Sequence, residues 1–600
     1  MKTPKLIQRR EPAAPSTQFP DDMSPLLRRV YAHRNVAGAA ELDYSLAGLL
    51  PFTQLAQVDT AAQLLADVIA ADQHIVIIAD YDADGATACA LAVRGLRGCG
   101  AKRVSYLVPD RMRDGYGLQA PLAELAAQAG AHLLVTVDNG ISALEGVARA
   151  RELGMRVMVT DHHLPGAQLP DADVIVNPNQ SGDGFPSKCV AGVGVMFYVL
   201  AALRQCLRDR GWFAKQEIVE PNLAALLDLV ALGTVADVVP LDRNNRIFVA
   251  QGLARVRAGR GQPGVHALLA AANRDPVRIT AADLGFAVGP RLNAAGRLTD
   301  MRLGIECLLT DDPNAARRMA LELDGLNKER RQIQAEMQEQ ALADLDGIDA
   351  LSAAPVLCIY REAWHVGVVG VLASQIKERV HRPVIAFARE ADGTLKGSAR
   401  SINGIHIRDV LANVNAAHPE LIIRFGGHAM AAGLSLAEEN LDRFAHALEQ
   451  EITAHWPSPE LGMALWSDGE LLPEEICLET AEQLRAAGPW GQSFPEPLFD
   501  GEFKISGARV VGEHHLKLTL ANGNGGRPLD AIAFNQAAGL DLETGQCARL
   551  AYRLDVNEYN GRRTVQLLVE QIELGADTPP PSPRRSLPRA TTRGPGSRIK

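Results

Sequence analysis

His74-Ile75-Val76-Ile77-Ile78-Ala79-Asp80-Tyr81-Asp82-Ala83-Asp84-Gly85 decides the reading of this chain. The run His74–Ala79 reads as a buried strand, and it ends abruptly in three aspartates within five residues. Two further segments repeat the arrangement. Leu133–Val137 runs into Asp138-Asn139-Gly140, and Arg156–Thr160 runs into Asp161-His162-His163. Another carboxylate, Asp237 in Gly233-Thr234-Val235-Ala236-Asp237, is expected at the next strand end. In an open α/β sheet the C-terminal strand ends share one edge, and ligands bind in the crevice there. Side chains placed repeatedly at that edge converge in space although they are distant in sequence.

The intervening sequence supports such a sheet. A helix is expected from near Gly85, a strand over Arg103–Val108, helices over Pro121–Ala129 and 142–153, and a fifth short strand at Val174–Val176. These βα units with short connections predict an α/β fold with a parallel, doubly wound sheet. Residues 190–310 read mostly as helix. From Asn314 to Leu345 strong helix formers continue with one Gly and no Pro. A helix of about 30 residues, about 45 Å long, is polar enough to bridge domains rather than fill a core. A second α/β unit follows, with strands at Val356–Tyr360 and Val384–Phe387 and Gly-rich loops around them. Residues 460–575 change to short alternating runs: Glu502–Ile505, Leu516–Leu520, Asp530–Phe534, Ala548–Leu554 and Thr564–Ile572. Five strands at this spacing suggest a small β-barrel of OB type. Residues 1–40 read as an irregular or helical lead-in. The Pro-rich stretch from Pro579, with six basic and no acidic residues, reads as disordered.

At 600 residues and 64.4 kDa the chain exceeds one hydrophobic core, and its length implies about three or four domains. Its 47% hydrophobic and 22% charged residues are those of a soluble globular protein. No apolar run approaches the ~18 residues a membrane span needs, and MKTPKLIQRREPAAP lacks the apolar stretch of a secretory signal. The eight scattered cysteines contain no CxxC pair, which fits reduced thiols and argues against a zinc knuckle. A cytoplasmic, multidomain protein without a membrane partner is expected. The net charge of −10 argues against a nucleic-acid coat protein. It leaves room for an enzyme with a local basic groove, because bound cations cancel the charge of ligating carboxylates.

If the chain stays extended past Ala79, Asp80, Asp82 and Asp84 point one way; a turn at Gly85 would bend them around a cation instead. Carboxylates this close raise one another's pKa and cannot all ionise without a counter-charge. A lone Asp at a strand end is ordinarily a helix N-cap. The conjunction of the three Asp, Asp138, the Asp-His-His segment and Asp237 is not explained that way. Divalent metals resolve the conflict. Carboxylate oxygens with imidazole nitrogen suit manganese, magnesium or zinc, manganese best. Two metals ~3.5–4 Å apart are a recurrent device for phosphoester hydrolysis.

DYDADG, VDNG, DHH and the GTVADVVPL context of Asp237 match, in order and approximate spacing, the four motifs of the DHH phosphoesterase superfamily. Over roughly residues 40–575 the chain resembles the RecJ-type single-strand-DNA-specific exonucleases. The expected division is then a DHH domain over 41–313, a connecting helix over 314–345, a DHHA1 domain over 346–455 and an OB domain over 456–575, with a disordered basic tail over 576–600 beyond the resemblance. The resemblance implies that Asp82, Asp84, Asp138, His162 and Asp237 ligate two divalent ions, manganese in preference to magnesium, with Asp80 a less constant ligand. It also implies that His163 contacts the scissile phosphate and assists the leaving oxygen, so Asp138 and His163 are the expected catalytic residues.

Further segments fit a polyanionic substrate. Gly289-Pro290-Arg291-Leu292-Asn293-Ala294-Ala295-Gly296-Arg297 is read as an Arg/Asn loop resembling the family's fifth motif, with Arg291, Asn293 and Arg297 as substrate contacts. Trp364–Gly370 lies between a strand and a helix, where backbone amides can cradle phosphate. With Gly397–Ser401 and Phe425–Gly433 it resembles the DHHA1 subdomain, which makes His365, Ser398, Arg400, Gly426, Gly427 and His428 candidate contacts. Ser398 and Arg400, with Arg111, are expected to hold the terminal 5′-phosphate, arginine because its fork matches phosphate oxygens. Tyr116 is a candidate to stack on a base. In the barrel, Lys504, Arg509, Lys517 and Tyr552 are candidates to line a groove for single strands.

The implied activity is 5′→3′ hydrolysis of single-stranded DNA to 5′-mononucleotides in recombination and repair, with a single-strand-binding protein and a helicase as partners. DHH hydrolases of pyrophosphate, cyclic dinucleotides or very short oligonucleotides are generally shorter and lack the barrel. Non-catalytic relatives have lost metal ligands that are complete here.

Overall fold

A computed structural model of the chain describes residues 6–11, 19–110, 117–345, 354–390, 392–402, 404–427, 429–456, 464–512, 514–521, 528–537, 542–559, 561–574 and 598–599. It divides into two compact units: one of Ala40–Gln332 with Pro489–Pro495, the other of Met1–Ala39, Ile333–Gly488 and Glu496–Lys600.

In the first unit, apolar runs form β1 (Ile75–Ala79), β2 (Val104–Leu107), β3 (Leu133–Val137), β4 (Arg156–Thr160) and β5 (Val174–Val176). All pair in parallel, in the order β2-β1-β3-β4-β5. Every residue of β1 and β3 is buried, which is why both read as unbroken apolar runs. The strand order reverses between β1 and β3, and such a switch point opens a crevice at the carboxyl ends of the strands. Around the sheet lie α1 (Ala83–Gly98), α2 (Gly192–Asp209), α3 (Leu227–Ala236) and α4 (Gly289–Leu298).

Two expectations about this unit are corrected. Asp237 follows no strand; it is the C-cap of α3, so its carboxylate comes from the helical layer. The GPRLNAAGR segment is not a loop. It is α4, preceded without a break by a π-helical turn over Leu284–Val288. Pro290 lies in the first turn of α4, where a missing N–H costs nothing.

Helix α5 (Pro313–Leu345) has 33 residues, and the division between the units falls within it, at Gln332/Ile333. Although polar overall, it buries Ala316, Ala320 and Leu323 at helical spacing, so it carries a packed stripe.

The second unit holds β6 (Leu357–Tyr360), helix α6 (Val369–Val380), β7 (Val384–Arg389), β8 (Thr394–Arg400), β9 (Arg424–Gly427) and β10 (Ala431–Ala437). The sheet order is β9-β10-β8-β7-β6, and Arg598–Ile599 pairs with the edge of β6. The Gly-rich segments expected as loops are thus strands β8, β9 and β10. Gly426, Gly433, Ser398 and Ala386 are register partners across four strands. Tertiary pairing overrides the weak strand propensity of these small residues.

The expected barrel is present. Strands β11 (Phe499–Val511), β12 (His515–Ala521), β13 (Leu529–Ala533), β14 (Cys547–Tyr559) and β15 (Arg562–Leu574) close in the order β11-β12-β13-β15-β14. Tyr552 is fully buried and meets Phe503 edge-on, so it belongs to the barrel core and not to a groove. Lys517 is paired with Asp530 at 3.4 Å.

The lead-in is an integral part of this second unit. Leu6–Arg9 pairs in parallel with Ala464–Ser467. The buried Arg34 donates to both oxygens of Asp468, at 2.9 and 3.0 Å. The tail expected to be disordered lies outside the described residues apart from 598–599. No described helix is long and apolar enough to cross a membrane, and all eight cysteines are free thiols.

Candidate metal centre and nucleic-acid contacts

The acidic cluster forms at the β1/β3 switch point. Asp80 is the first residue beyond β1, and its Oδ1 accepts from Tyr81 N at 2.8 Å. The chain then turns at once: Asp82 is the N-cap of α1, its Oδ1 accepting from Gly85 N at 3.0 Å. The aspartates therefore wrap rather than alternate. Asp84, in the first turn of α1, is buried and accepts from Gly192 N at 2.7 Å and Val193 N at 3.0 Å. These are the unpaired amides at the start of α2, and the helix end favours a negative charge. Gly192 is needed at this contact, because a Cβ there would lie 2.6 Å from Asp138 Oδ1.

Asp138 follows β3 in a left-handed conformation, φ 62°, which Asp tolerates better than most residues. Asn139 Nδ2 donates to Ile78 O at 3.0 Å and Val137 O at 2.9 Å. It thus ties β1 to β3 where the crevice opens.

His162 completes the cluster. Its Nε2 lies 3.1 Å from Asp138 Oδ1 and 3.4 Å from Asp237 Oδ2, buried and without a hydrogen-bond partner. Potential ligand atoms lie within 4.8 Å of one another in three overlapping sets: Asp80, Asp82 and Asp138; Asp84, His162 and Asp237; Asp138, His162 and His163.

Without cations the buried carboxylates of the cluster repel one another. Burial, then the charge of Asp237, pushes Asp84 up to about 7. Burial, then Asp82, does the same to Asp237, also to about 7. Asp138 is raised well above the carboxylate range by burial and by Asp84. Burial and the neighbouring His163 lower His162, which keeps a neutral imidazole available as a ligand. Oxygen donors with one imidazole, mutually repelling when ionised, and an imidazole nitrogen held without a partner among carboxylates fit divalent cations.

His163 is held differently. Its Nδ1 lies 2.7 Å from Asp161 Oδ1. Burial works against its charge, but Asp161 outweighs it and His163 is raised to about 10. Burial likewise opposes ionisation of Asp161, yet the charge of His163 takes it down to about 2. Asp161 also accepts from the amides of His162, His163 and Ile141. It is therefore an organiser of the turn, a role that the sequence reading did not assign. Its position directly after the apolar run Arg156–Thr160 was the only signal the sequence offered.

The α4 residues divide. Asn293 Oδ1 accepts from Ala83 N at 2.9 Å, so it braces the acidic turn. Gly296 admits Tyr81 O, which would lie 1.9 Å from a Cβ. Arg291 forms an ion pair with Asp324 on α5 at 2.7 Å. Arg297 lies on α4 one helical turn beyond Asn293.

In the second unit the residues expected to bind phosphate gather at the start of α6. Arg400 Nη1 donates to Ser398 Oγ at 2.9 Å. A Cβ on Gly370 would lie 2.9 Å from Ser398 Oγ and from Arg400 Nη2. His365 Nδ1 accepts from Gly367 N at 3.1 Å, and the register aligns Gly426 with Ser398 through Gly433. Arg111, Tyr116 and His428 lie outside the described residues.

Family models match in three places: the DHH family N-terminal domain over 74–234, the DHHA1 domain over 353–454 and the RecJ OB domain over 467–571. The chain is 53% identical over 567 residues to the single-stranded-DNA-specific exonuclease RecJ of Dickeya dadantii (strain 3937), covering 94% of this chain and 98% of that one. It is similar to the crystal structure of RecJ from Thermus thermophilus in complex with Mn2+. That match has a TM-score of 0.78 and 29% identity, covering 95% of this chain and 79% of the other. The Mg2+ complex from the same organism matches with a TM-score of 0.72 and 28% identity, covering 95% and 78%.

Proposed function

This chain belongs to the RecJ family of single-stranded-DNA-specific exonucleases, and from that premise we propose how its own residues carry out the reaction. The protein is a metal-dependent phosphodiester hydrolase acting on single-stranded DNA. It works 5′→3′, releases 5′-mononucleotides and serves recombination and repair. Asp82, Asp84, Asp138, His162 and Asp237 hold two divalent ions, with Asp80 at the margin of the set and manganese preferred over magnesium. When bound, these ions supply Lewis acidity, lowering the pKa of water and offsetting charge on the phosphate oxygens.

Every other part is protein chemistry. Asp161 fixes the His163 ring, and the resulting imidazolium supplies a positive charge and a proton for the phosphate or its departing 3′-oxygen. Asn293 and Asn139 hold the acidic turn and the two strand ends in place. Ser398 and Arg400, at the amides that begin α6, take the terminal 5′-phosphate, with Arg111 assisting and His365, Gly426, Gly427 and His428 shaping the cradle. Arg291 and Arg297 bear on the strand through α4, and Tyr116 stacks on a base. The protein acts in the cytoplasm, alongside a single-strand-binding protein and a helicase.

The observation that carries this reading is the buried His162 Nε2, without a hydrogen-bond partner and within 3.4 Å of oxygens from Asp138 and Asp237. The test is purified protein with manganese, offered 5′- and 3′-labelled single and double strands. Release of labelled mononucleotide first from 5′-labelled single strands supports it. Cleavage without added metal, or from the 3′ end, overturns it.

A further inference from the structure

Beside the metal cluster the first unit exposes apolar side chains that nothing above uses. Phe286 is 86% exposed, the highest value for any described phenylalanine or tryptophan. It does not project from a loose loop. It sits in the π-helical turn Leu284–Val288, which runs directly into α4. The turn is braced at its start, where Thr280 N and Oγ1 donate to Asp283 Oδ2 at 2.8 and 3.0 Å. Its neighbours Leu284, Ala287 and Val288 are buried, so the backbone is fixed while the ring is presented to solvent. Turns of this kind are uncommon and recur at functional sites.

The same turn packs on the end of α3. A Cβ on Gly285 would lie 2.9 Å from Val235 Cγ1. Two residues beyond Val235 comes the candidate ligand Asp237, and next to it Val238, 62% exposed with φ 60°. A β-branched residue in the left-handed region is strained, and such strain persists where surrounding structure imposes it, often at working sites. Leaving a Phe and a Val in water also forgoes the burial that would otherwise stabilise the unit.

We propose that Phe286 forms an apolar ledge on which one unstacked base of the substrate strand rests while a phosphate near that base occupies the metal centre. The inference deepens the nuclease reading and rests on it. A single strand offers the open π-face of every base, and stacking on a rigid aromatic ring is tolerant of sequence. Base-independent positioning is what an enzyme that removes successive nucleotides requires. Phe286 lies seven residues from Asn293 on a continuous helical path, about 10 Å along the axis. Asn293 binds the acidic turn, so the ring's distance from the cluster is fixed. Phe286 is a positioning residue: it touches the base and leaves the phosphorus to others.

The test pairs Phe286→Ala and Phe286→Trp with strands carrying one abasic site at each of the first four nucleotides in turn, with KM and kcat followed in manganese. At one position, removing the base should cost the unmodified protein about 5- to 150-fold in kcat/KM, the span of single base–aromatic stacks. It should cost Phe286→Ala nothing further there, and Phe286→Trp should behave like the parent. The manganese-induced rise in melting temperature should be the same in all three, showing that the Asp237 turn remains formed. Additive losses in Phe286→Ala at every abasic position overturn the ledge, as does full activity of that variant on intact strands. If the unmodified protein leaves single strands intact, the nuclease reading itself fails.

Discussion

Replacing Asp237 by Asn tests the metal centre without relying on catalysis. In the metal-free protein Asp237 is held at about 7, by burial first and by Asp82 next, against an ordinary value of about 3.9. The sign follows from the raised value. Stability is fully present below about pH 3.9, where the group is neutral in both states, and is lost as pH rises through about 7. At pH 8 this difference corresponds to roughly 4 kcal/mol. Part of that repulsion is shared with Asp84 and Asp138, so deleting one charge should recover about 2–4 kcal/mol. The first unit has about 300 residues, and at ~2.1 cal/mol/K per residue this is a rise of about 3–6 °C in its melting temperature. Calorimetry in EDTA should therefore show Asp237→Asn melting higher than the parent at pH 8 and equally at pH 4. Manganese should close most of that gap at pH 8. At a hundred times its dissociation constant a ligand adds about 2.7 kcal/mol, and the Asn variant should forfeit most of that. A variant that melts lower than the parent in EDTA at pH 8, or one with an undiminished manganese response, would refute the reasoning.

Other outcomes are equally specific. Asp161→Asn removes the main anion that raises His163 to about 10, leaving burial opposed only by the lesser charges of Asp237 and Asp80, so the imidazole should titrate at a lower pH. On the proposed role of the imidazolium as proton donor, the alkaline limb of the pH–rate profile should move down with it, and an unmoved limb counts against His163 as a proton donor. Arg400→Ala should raise KM about 10-fold or more for 5′-phosphorylated strands, in line with a lost charged hydrogen bond, and leave 5′-hydroxyl strands unchanged; equal effects on both would remove Arg400 from the phosphate cradle. Asp468→Ala leaves Arg34 buried without its partner, at a cost of ~3–5 kcal/mol readable by urea denaturation. Burial opposes ionisation of Asp468, but hydrogen bonds from His33 and Arg34 outweigh it and its pKa is lowered. The gap between variant and parent should thus hold from pH 5 to 8 and close only as pH falls through the depressed value.

The parallel sheet was legible because burial on both faces leaves no alternation, so β1 and β3 announce themselves as uninterrupted apolar runs. The acidic cluster is legible because charge directly after such a run has no place in a core. Asp237 carries no signal alone, and it reaches the cluster from a helix end. What the sequence concealed depends on distant partners. Gly397–Arg400 and Ala431–Gly433 have loop composition and become strands only because each lies beside another row of small residues. GPRLNAAGR contains three breakers, yet Gly289 and Pro290 fall at a helix start and Gly296 faces Tyr81 O, positions where Gly and Pro are suited rather than disruptive. Tyr552 looks like an exposed aromatic on a polar strand until the barrel closes around it. The part Asp161 plays is hidden in the sequence, because three of its four hydrogen bonds close on its own turn and leave no mark in composition.

The pairing of Leu6–Arg9 with Ala464–Ser467 has a consequence in time. A ribosome adding about 5–20 residues per second takes roughly half a minute to a minute and a half to travel from one strand to the other. The first unit can close meanwhile, since its sequence is complete by the end of that interval except for Pro489–Pro495. The opening forty residues cannot. Arg34 must wait in water for Asp468, and the N-terminal strand keeps an unpaired edge available to other chains. Newborn protein should therefore depend on dilution or on a holding chaperone until the last domain emerges, and chains cut short before residue 464 should aggregate through their beginnings rather than their broken ends.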